Sequence, residues 1–343
     1  MKLFGILALL LGLLAGTLLI AHYGVGAVAA ALLAIGWRGF LVILVIHLAI
    51  LALCGLSWFV LVPPGERKGL WPFVWGRLVR EGGSELLPLS QLGGLVMGGR
   101  AASLAGLPGR VSAASSVVDA TIELLAQLAF ATLGLGLLVS LRPDAPFISA
   151  TAAALAAALV GVILVIVIQH RGFVLLERIA ERLSRQWSSN SGWSAGTIQH
   201  VILQTYERHG RLLAGFLLHL LAWIAGAIEI WIALLFMGIP LPLAAVIAIE
   251  GLLAAARGIA FVVPSALGVQ EGAYLVLGAL FGLPPDTALA LSLLKRARGL
   301  VLGAPPLLLW QVAESRQLLR RRRTAAAAAS TGPAIQSSQP ERR

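Results

Sequence analysis

Long apolar runs alternate with short polar breaks along this chain, and the runs have the length of membrane-spanning helices. They cover residues 39–62, 110–141, 147–168, 212–237 and 286–313, each near or above the roughly 20 residues with which a helix crosses a bilayer. Another run, 3–21, follows Lys2, as in a signal peptide. Because this run is long, lacks a clear cleavage site and precedes further spans, we interpret it as a retained first helix.

The stretch from Arg77 to Pro108 interrupts this pattern. Its two parts, 70–87 and 91–107, are too charged or too short for ordinary spans. They favour a re-entrant hairpin that enters and leaves the membrane on the cytoplasmic side, with its tip near Pro88. Residues 243–262 and 267–282 flank Pro264 in the same way and predict a second hairpin, although 267–282 could also be a tilted full span.

The two hairpins indicate an internal repeat. The interval in sequence from Pro88 to Pro264 equals the interval from Pro108 to Pro284, so the two pairs of prolines share one register. Coincidence is the alternative, because short Leu-Pro matches are common in a chain rich in Leu and Gly. Counting crossings from the cytoplasm, the second hairpin starts from the opposite side and the repeat is inverted. That is the geometry of alternating-access carriers, whose site lies where the two repeats meet.

The composition assigns the chain to the membrane class. Of its 343 residues, 59% are hydrophobic and 12% charged, whereas soluble proteins contain about 25% charged residues. The net charge of +11 does not indicate nucleic-acid binding, because arginines cluster beside apolar runs, in 171–211 and after Glu314. Such clusters mark cytoplasmic segments, so both termini are expected in the cytoplasm. The single cysteine, Cys54, excludes an internal disulfide.

The predicted fold class is an all-α polytopic integral membrane protein with about six full spans and two re-entrant hairpins, or seven to eight spans by hydropathy. The first transmembrane half covers 1–170 with hairpin 70–107. An amphipathic cytoplasmic linker, 171–211, follows; a plain solvated loop is its alternative. The second half covers 212–313 with hairpin 243–282, and a disordered basic cytoplasmic tail, 314–343, ends the chain.

Ionisable residues within apolar spans are costly and normally face one another or a cavity. Here they recur at helical spacing: Asp119 and Glu123 are predicted on one face of a helix, and Glu250 and Arg257 on one face of another. One interpretation is an internal salt-bridge scaffold, and the other is a polar cavity that takes a lipid headgroup or relays a proton. The candidate substrate-binding residues are Arg77, Arg80, Glu81, Glu85, Pro88, Arg100, Asp119, Glu123, Glu250, Arg257, Pro264, Glu271, Lys295 and Arg298, with Glu229 in the same set.

Signatures of enzymes are scarce in the sequence. The six histidines form no H-x-x-x-H pair, and the chain has no P-loop and no G-x-G-x-x-G motif. His47 and His219 lie within apolar runs and are interpreted as helix-packing residues. We therefore expect no enzymatic activity, no cofactor and no metal.

The block from Arg77 to Glu123, with its Gly-Gly pair, Leu-Pro break and D-x-x-x-E spacing, resembles the membrane region of the lysylphosphatidylglycerol synthase/flippase superfamily. The stretch PSALGVQEGAYLVLGALFGLP and the helix of Lys295 and Arg298 resemble it too. Among its branches, the chain is most similar to the single-domain, HpnL-like proteins associated with hopanoid biosynthesis. The resemblance implies lipid handling in a bacterial inner membrane. Lysyl-transferring members carry a large soluble domain after the last helix, so aminoacyl transfer is not expected here.

The function expected from these observations is that of a lipid transporter or flippase, with hopanoid-type lipids as the cargo. Two alternatives stay open. One is a membrane-embedded lipid-headgroup transferase with Asp119 and Glu123 as acid and base. The other is a non-catalytic partner of lipid-biosynthesis or outer-membrane trafficking proteins. Membrane lipids are the expected partners in each case.

Overall fold

A computed structural model describes residues 25–67, 69–86, 90–171, 195–260 and 266–330, and within them the chain is helical with no strand. The predicted first helix 3–21, the hairpin tips at Pro88 and Pro264, and the arginine-rich part of the linker lie outside these residues. The helices are α1 Val25–Ala34, α2 Gly36–Leu61, α3 Trp71–Leu86, α4 Ser90–Leu104, α5 Gly109–Leu141, α6 Ile148–Arg171, α7 Ala195–Tyr206, α8 His209–Phe236, α9 Leu243–Ile259, α10 Val269–Leu280 and α11 Pro285–Ser330.

Four of these helices are long and apolar enough to cross a membrane, namely α2, α5, α6 and α8. They agree with four of the predicted spans, so the predicted class of multi-pass helical membrane protein is confirmed. Only 11% of the apolar window of α6 is buried in the protein, against 39% for α2 and α8. In a membrane protein an apolar exposed helix faces lipid, which puts α6 at the periphery.

Helices α3 and α4 form the first predicted hairpin, and glycines let them approach closely. A Cβ atom on Gly83 would lie 3.0 Å from the Cα of Gly94, and one on Gly98 would lie 2.7 Å from the carbonyl oxygen of Gly76. Small residues at such contacts are the usual means of bringing membrane helices together. The hairpin exists as a helix pair, and its re-entrant position in the bilayer stays a prediction.

The turn after each hairpin is the same in both halves. The end of α4 at Leu104 and the start of α5 at Gly109 correspond, in the register of the prolines, to the end of α10 at Leu280 and the start of α11 at Pro285. Gly106 and Gly282 both have positive φ, +108° and +75°. The following leucine donates its N–H to the same relative position in each case, Leu107 to Ala102 at 3.1 Å and Leu283 to Gly278 at 3.0 Å.

Contacts between the halves follow the same register. Helix α3 packs against α11 and α9 against α5, while α1 lies against α11 and α7 against α5. Gly82 of α3 meets Gly303 of α11, and the residues that correspond to them in the opposite halves, Gly258 and Gln127, also meet. The first helix of each hairpin therefore packs on the long helix of the other half.

The structure differs from the predicted layout in two places. The last helix was expected to end near Ala313 and a disordered tail to begin at 314, but α11 continues to Ser330. Alanine and arginine, which fill this part of the chain, are strong helix formers, and Arg100 hydrogen-bonds to Glu314 and Gln317 on the extension. The predicted linker also contains a packed helix, since Ile202 of α7 is buried in one cluster with residues of α5.

Candidate functional site

Helix α3 carries charged side chains that reach three other helices. Arg77, Glu81 and Glu85 are four residues apart and so lie on one helix face. Arg77 contacts α5, Glu81 lies near His47 of α2, and Glu85 contacts Arg257 of α9 at 3.3 Å. The stretch singled out in the sequence therefore lies at the centre of the charged network.

The first group of charges, here the arginine cluster, consists of Arg77, Arg80, Asp119, Glu123 and His219. The Nη2 atom of Arg77 lies 2.6 Å from Glu123 Oε1, and its Nη1 lies 3.3 Å from Asp119 Oδ2. Arg80 Nη2 is 2.8 Å from Glu123, and His219 Nε2 is 2.9 Å from Asp119 Oδ1. Asp119 is 1% exposed, so this carboxylate depends on these partners for its charge to be tolerated.

The arginine cluster also has the spacing of a cation site, because ligand atoms of Asp119, Glu123 and His219 lie within 4.8 Å of one another. Both carboxylates already contact the guanidinium groups of Arg77 and Arg80. Positive charge at this distance opposes the binding of a metal ion. The arrangement is better described as paired charges than as a metal centre.

The second group, here the central cluster, consists of His47, Glu81, Glu229 and Arg298. Glu229 is fully buried and accepts hydrogen bonds from Arg298 and from His47 Nδ1, the latter at 2.9 Å. The other ring nitrogen of His47 lies 3.6 Å from Glu81 Oε1. The cluster joins α2 and α3 of the first half to α8 and α11 of the second.

The third group lies between α9, α10 and α11 and is called the lysine cluster. It consists of Glu250, Glu271, Tyr274, Ser292, Lys295 and Arg296. Lys295 Nζ is 2.7 Å from Glu250 Oε2, and Tyr274 donates its hydroxyl hydrogen to the same carboxylate. Arg296 is 2.8 Å from Glu271, which also accepts a 2.8 Å hydrogen bond from Ser292. In the register of the repeat, Lys295 corresponds to Asp119 on the other long helix, with the opposite charge.

The contacts in the structure agree only in part with the helix faces that the sequence spacing predicts. Asp119 and Glu123 share the partner Arg77, as their common face predicts. Glu250 and Arg257 were expected on one face, but they turn to different partners, Lys295 and Glu85. The fourteen predicted residues, apart from the two prolines outside the described residues, all make ion pairs or charge contacts within the described chain.

Sequence reasoning assigned His47 and His219 to helix packing, whereas both belong to the charged network. Each places a ring nitrogen 2.9 Å from a buried carboxylate. The available signal was that an ionisable side chain inside an apolar run normally has a polar partner. Tyr274, Arg296 and Glu314 were missed for a simpler reason, since their partners come from helices whose packing the sequence does not specify.

One short motif of hydrolases also occurs in the chain, a G-x-S-x-G match at residues 192–196. In hydrolases this motif forms a sharp turn between a strand and a helix, which exposes the serine hydroxyl. The residues that the structure describes contain no strand, and most of the match lies outside them. The match therefore adds no support for a nucleophilic serine.

An apolar cavity of about 890 Å³ adjoins the charged network. It lies between α5, α6, α9 and α10, and its lining is almost entirely alanine, glycine, leucine and valine. Gln127 in this lining is one helical turn after Glu123, and Gly258 directly follows Arg257. The cavity and the charged network thus share two helices, α5 and α9, on which lining residues lie within one helical turn of Glu123 and Arg257.

Together these features define a multi-pass helical membrane protein with charged side chains paired inside its helix bundle and an apolar cavity beside them. The chain belongs to the family described as the lysylphosphatidylglycerol synthase TM region, whose model matches residues 5–305. No curated protein and no solved structure matches the chain.

Proposed function

We propose that the chain is a lipid transporter, a flippase-like carrier of the bacterial inner membrane. Family membership connects the chain with membrane lipids. The observation that carries the more specific proposal is that the buried charges and the apolar cavity lie on the same two helices, α5 and α9. An amphipathic lipid needs both surroundings, since its headgroup must be paired and its hydrocarbon must stay out of water.

The charged residues predicted from the sequence are the proposed headgroup-binding residues. Arg77 and Arg80 are the strongest candidates, because a guanidinium group binds a carboxylate or a phosphate in the same bidentate way. In the structure the anion that both guanidinium groups contact is the carboxylate of Glu123. A passing headgroup that offers acceptor oxygens would exchange with Glu123, so that the buried arginines keep a partner at each stage.

Movement across the bilayer is proposed to occur by alternating access between two inverted repeats. The matching turns at Gly106 and Gly282 and the exchanged contacts of α3 and α9 support a pseudo-symmetric pair of halves. Inversion requires the loop at 142–147 to face the periplasm and both termini to face the cytoplasm. Reporter fusions at Asp144 and after residue 343 test this arrangement, and a tail on the periplasmic side contradicts it.

The proposed cargo is a hopanoid-type lipid, on the strength of the resemblance to the HpnL-like branch. A deletion strain should then still synthesise hopanoids but fail to distribute them between the inner and outer membranes. Lost synthesis with normal distribution would instead favour the role of an assembly partner for lipid-biosynthesis enzymes.

The enzymatic alternative to a transporter is a lipid-headgroup transferase, with Asp119 and Glu123 as the reacting acid and base. Both carboxylates are engaged by Arg77, which makes binding and pairing the better account of their position. The deciding experiment uses purified protein in liposomes that carry labelled lipid. Movement of unmodified lipid between leaflets supports transport, whereas a chemically changed headgroup without movement supports the transferase.

A further inference from the structure

His47 lies between two carboxylates that belong to different halves of the chain. Its Nδ1 is 2.9 Å from Glu229 Oε2 on α8, and its Nε2 is 3.6 Å from Glu81 Oε1 on α3. The residue is 8% exposed. Within the described part of the chain, Nε2 is buried without a hydrogen-bond partner, although it points at an oxygen atom.

The open contact is what a neutral imidazole ring at this position would give. Glu229 is paired with Arg298 and is therefore an acceptor, so the hydrogen of a neutral imidazole resides on Nδ1. The Nε2 atom then presents a lone pair to Glu81, which is also an acceptor when ionised. Two acceptors facing each other repel, and a single proton between them would convert the contact into a charge-assisted hydrogen bond.

We propose that His47 and Glu81 form a proton-binding site, at which one bound proton locks α3 onto α2 and, through Glu229, onto α8. The charges that face the site are Glu81 from α3, Glu229 from α8 and Arg298 from α11. Arg257 of α9 also lies near Glu81, but its charge is balanced by its ion pair with Glu85. With His47 neutral, Glu81, Glu229 and Arg298 leave one negative charge in the cluster. Binding one proton neutralises it, which a buried site favours.

Glu81 is the more exposed of the two carboxylates that face His47. The side chain of Glu81 is 25% exposed, whereas that of Glu229 is fully buried. A proton therefore arrives and leaves by way of Glu81, while the contact between Glu229 and His47 holds the ring in place. On protonation the gap of 3.6 Å should close to about 2.8 Å, the usual length of such a bond.

The site also gives the carrier a coupling ion, and this consequence rests on the proposed transport function. Helix α3 carries the arginines that are proposed to hold the headgroup, and its attachment to α2 and α8 would depend on one proton. Release of that proton on one side of the membrane would free α3 to move. The proton-dependent attachment of α3 to α2 and α8, called the lock below, can be tested without any lipid substrate.

The test is hydrogen exchange of the full chain in nanodiscs of phosphatidylethanolamine and phosphatidylglycerol, at about pH 5 and pH 8, the range in which histidine changes charge. Protection factors, which correct for the pH dependence of intrinsic exchange, are compared for the segment 71–86. In the wild type, protection should fall by about tenfold or more at the higher pH, the contribution of one charge-assisted hydrogen bond.

The two partners should respond in opposite ways. In Glu81→Gln the side-chain amide donates to Nε2 without a proton from solvent, so the segment should stay protected at both pH values. In His47→Leu, whose side chain can donate to neither Glu229 nor Glu81, both links are lost, so the segment should be unprotected at both pH values. His200→Leu, on the exposed face of α7, is the matched control and should behave like the wild type.

Several results would overturn the proposal. They are a wild type without pH dependence, a Glu81→Gln variant that keeps the wild-type pH dependence, and a His200→Leu variant that loses it. Should His47→Leu not fold, Glu81→Gln decides the question alone. A lock that behaves as expected in a protein that moves no lipid would refute the transport function and leave the proton site standing.

Discussion

A Cβ atom on Gly82 of α3 would lie 2.2 Å from the carbonyl oxygen of Gly303 on α11. The two backbones therefore touch, and no side chain fits between them. Glu81 and Glu85 flank this contact on α3, and Gly299 of α11 lies against the Glu85 side chain. Contact between these two glycines thus fixes the distance across which the charged residues of the two halves meet.

Replacing Gly82 by alanine should force α3 and α11 apart. Overpacking of this kind costs about 1–3 kcal/mol, which thermal unfolding of the purified protein would show as a lower midpoint. Gly136→Ala is the matched control, because Gly136 also lies in a helix but no atom of the described residues lies within 4 Å of the added Cβ. It should be neutral or stabilising by up to about 1 kcal/mol. Equal midpoints for the two variants would argue against a tight contact between α3 and α11.

Much of the helix layout could be predicted because it depends on local sequence. Spans such as Gly36–Leu61 and Gly109–Leu141 follow from the length of apolar runs, and the helix pair 71–104 follows from the break at Pro88. The end of α11 could not be predicted in the same way. Its extension is stabilised by helix propensity and by Arg100, whose side chain comes from a distant part of the chain.

The candidate site was predicted as a set of residues but not as a set of pairs. Ionisable residues inside apolar runs can be recognised in the sequence, because each needs an opposite charge or a polar cavity. Which acid meets which base depends on helix packing, and the contact of α3 with α11 that brings Glu85 beside Gly299 has no local signal. For the same reason the partners of His47 and His219 could not be foreseen.

Arg77→Lys should damage the arginine cluster although it keeps the charge. A lysine ammonium cannot hold Asp119 and Glu123 in the two-pronged geometry of the guanidinium group. Loss of one charged hydrogen bond corresponds to about 1.5–3 kcal/mol, measured by thermal unfolding. Arg110→Lys, in the exposed pair with Glu66, is the control and should change stability by less than about 0.5 kcal/mol. A similar small effect at Arg77 would mean that the cluster does not depend on bidentate pairing.

The pair of Lys295 and Glu250 should show strong coupling in a double-mutant cycle. Removing one partner alone, as in Lys295→Met or Glu250→Gln, leaves a buried charge without its opposite charge and should cost about 3–5 kcal/mol. The double variant should be less destabilised than the sum of the two, by about 0.5–3 kcal/mol. The exposed pair of Arg110 and Glu66 gives the reference, with coupling of about 0.2–1 kcal/mol. Coupling at Lys295 no larger than this would show that water reaches the pair.

Filling the apolar cavity should slow lipid movement and leave the fold intact. Ala158 of α6 lines the cavity, whereas its neighbour Ala157 is exposed and does not. A tryptophan at position 158 would occupy the space proposed for lipid hydrocarbon, while the same side chain at 157 would point to the surrounding bilayer. In liposomes with labelled lipid, Ala158→Trp should therefore reduce transfer between leaflets, and Ala157→Trp should transfer at the wild-type rate.

Thermal unfolding should separate the two variants by no more than about 0.5 kcal/mol, since both changes lie on a peripheral helix. Equal transfer by the two variants, at equal stability, would mean that the lipid passes elsewhere and that this cavity holds only bulk lipid.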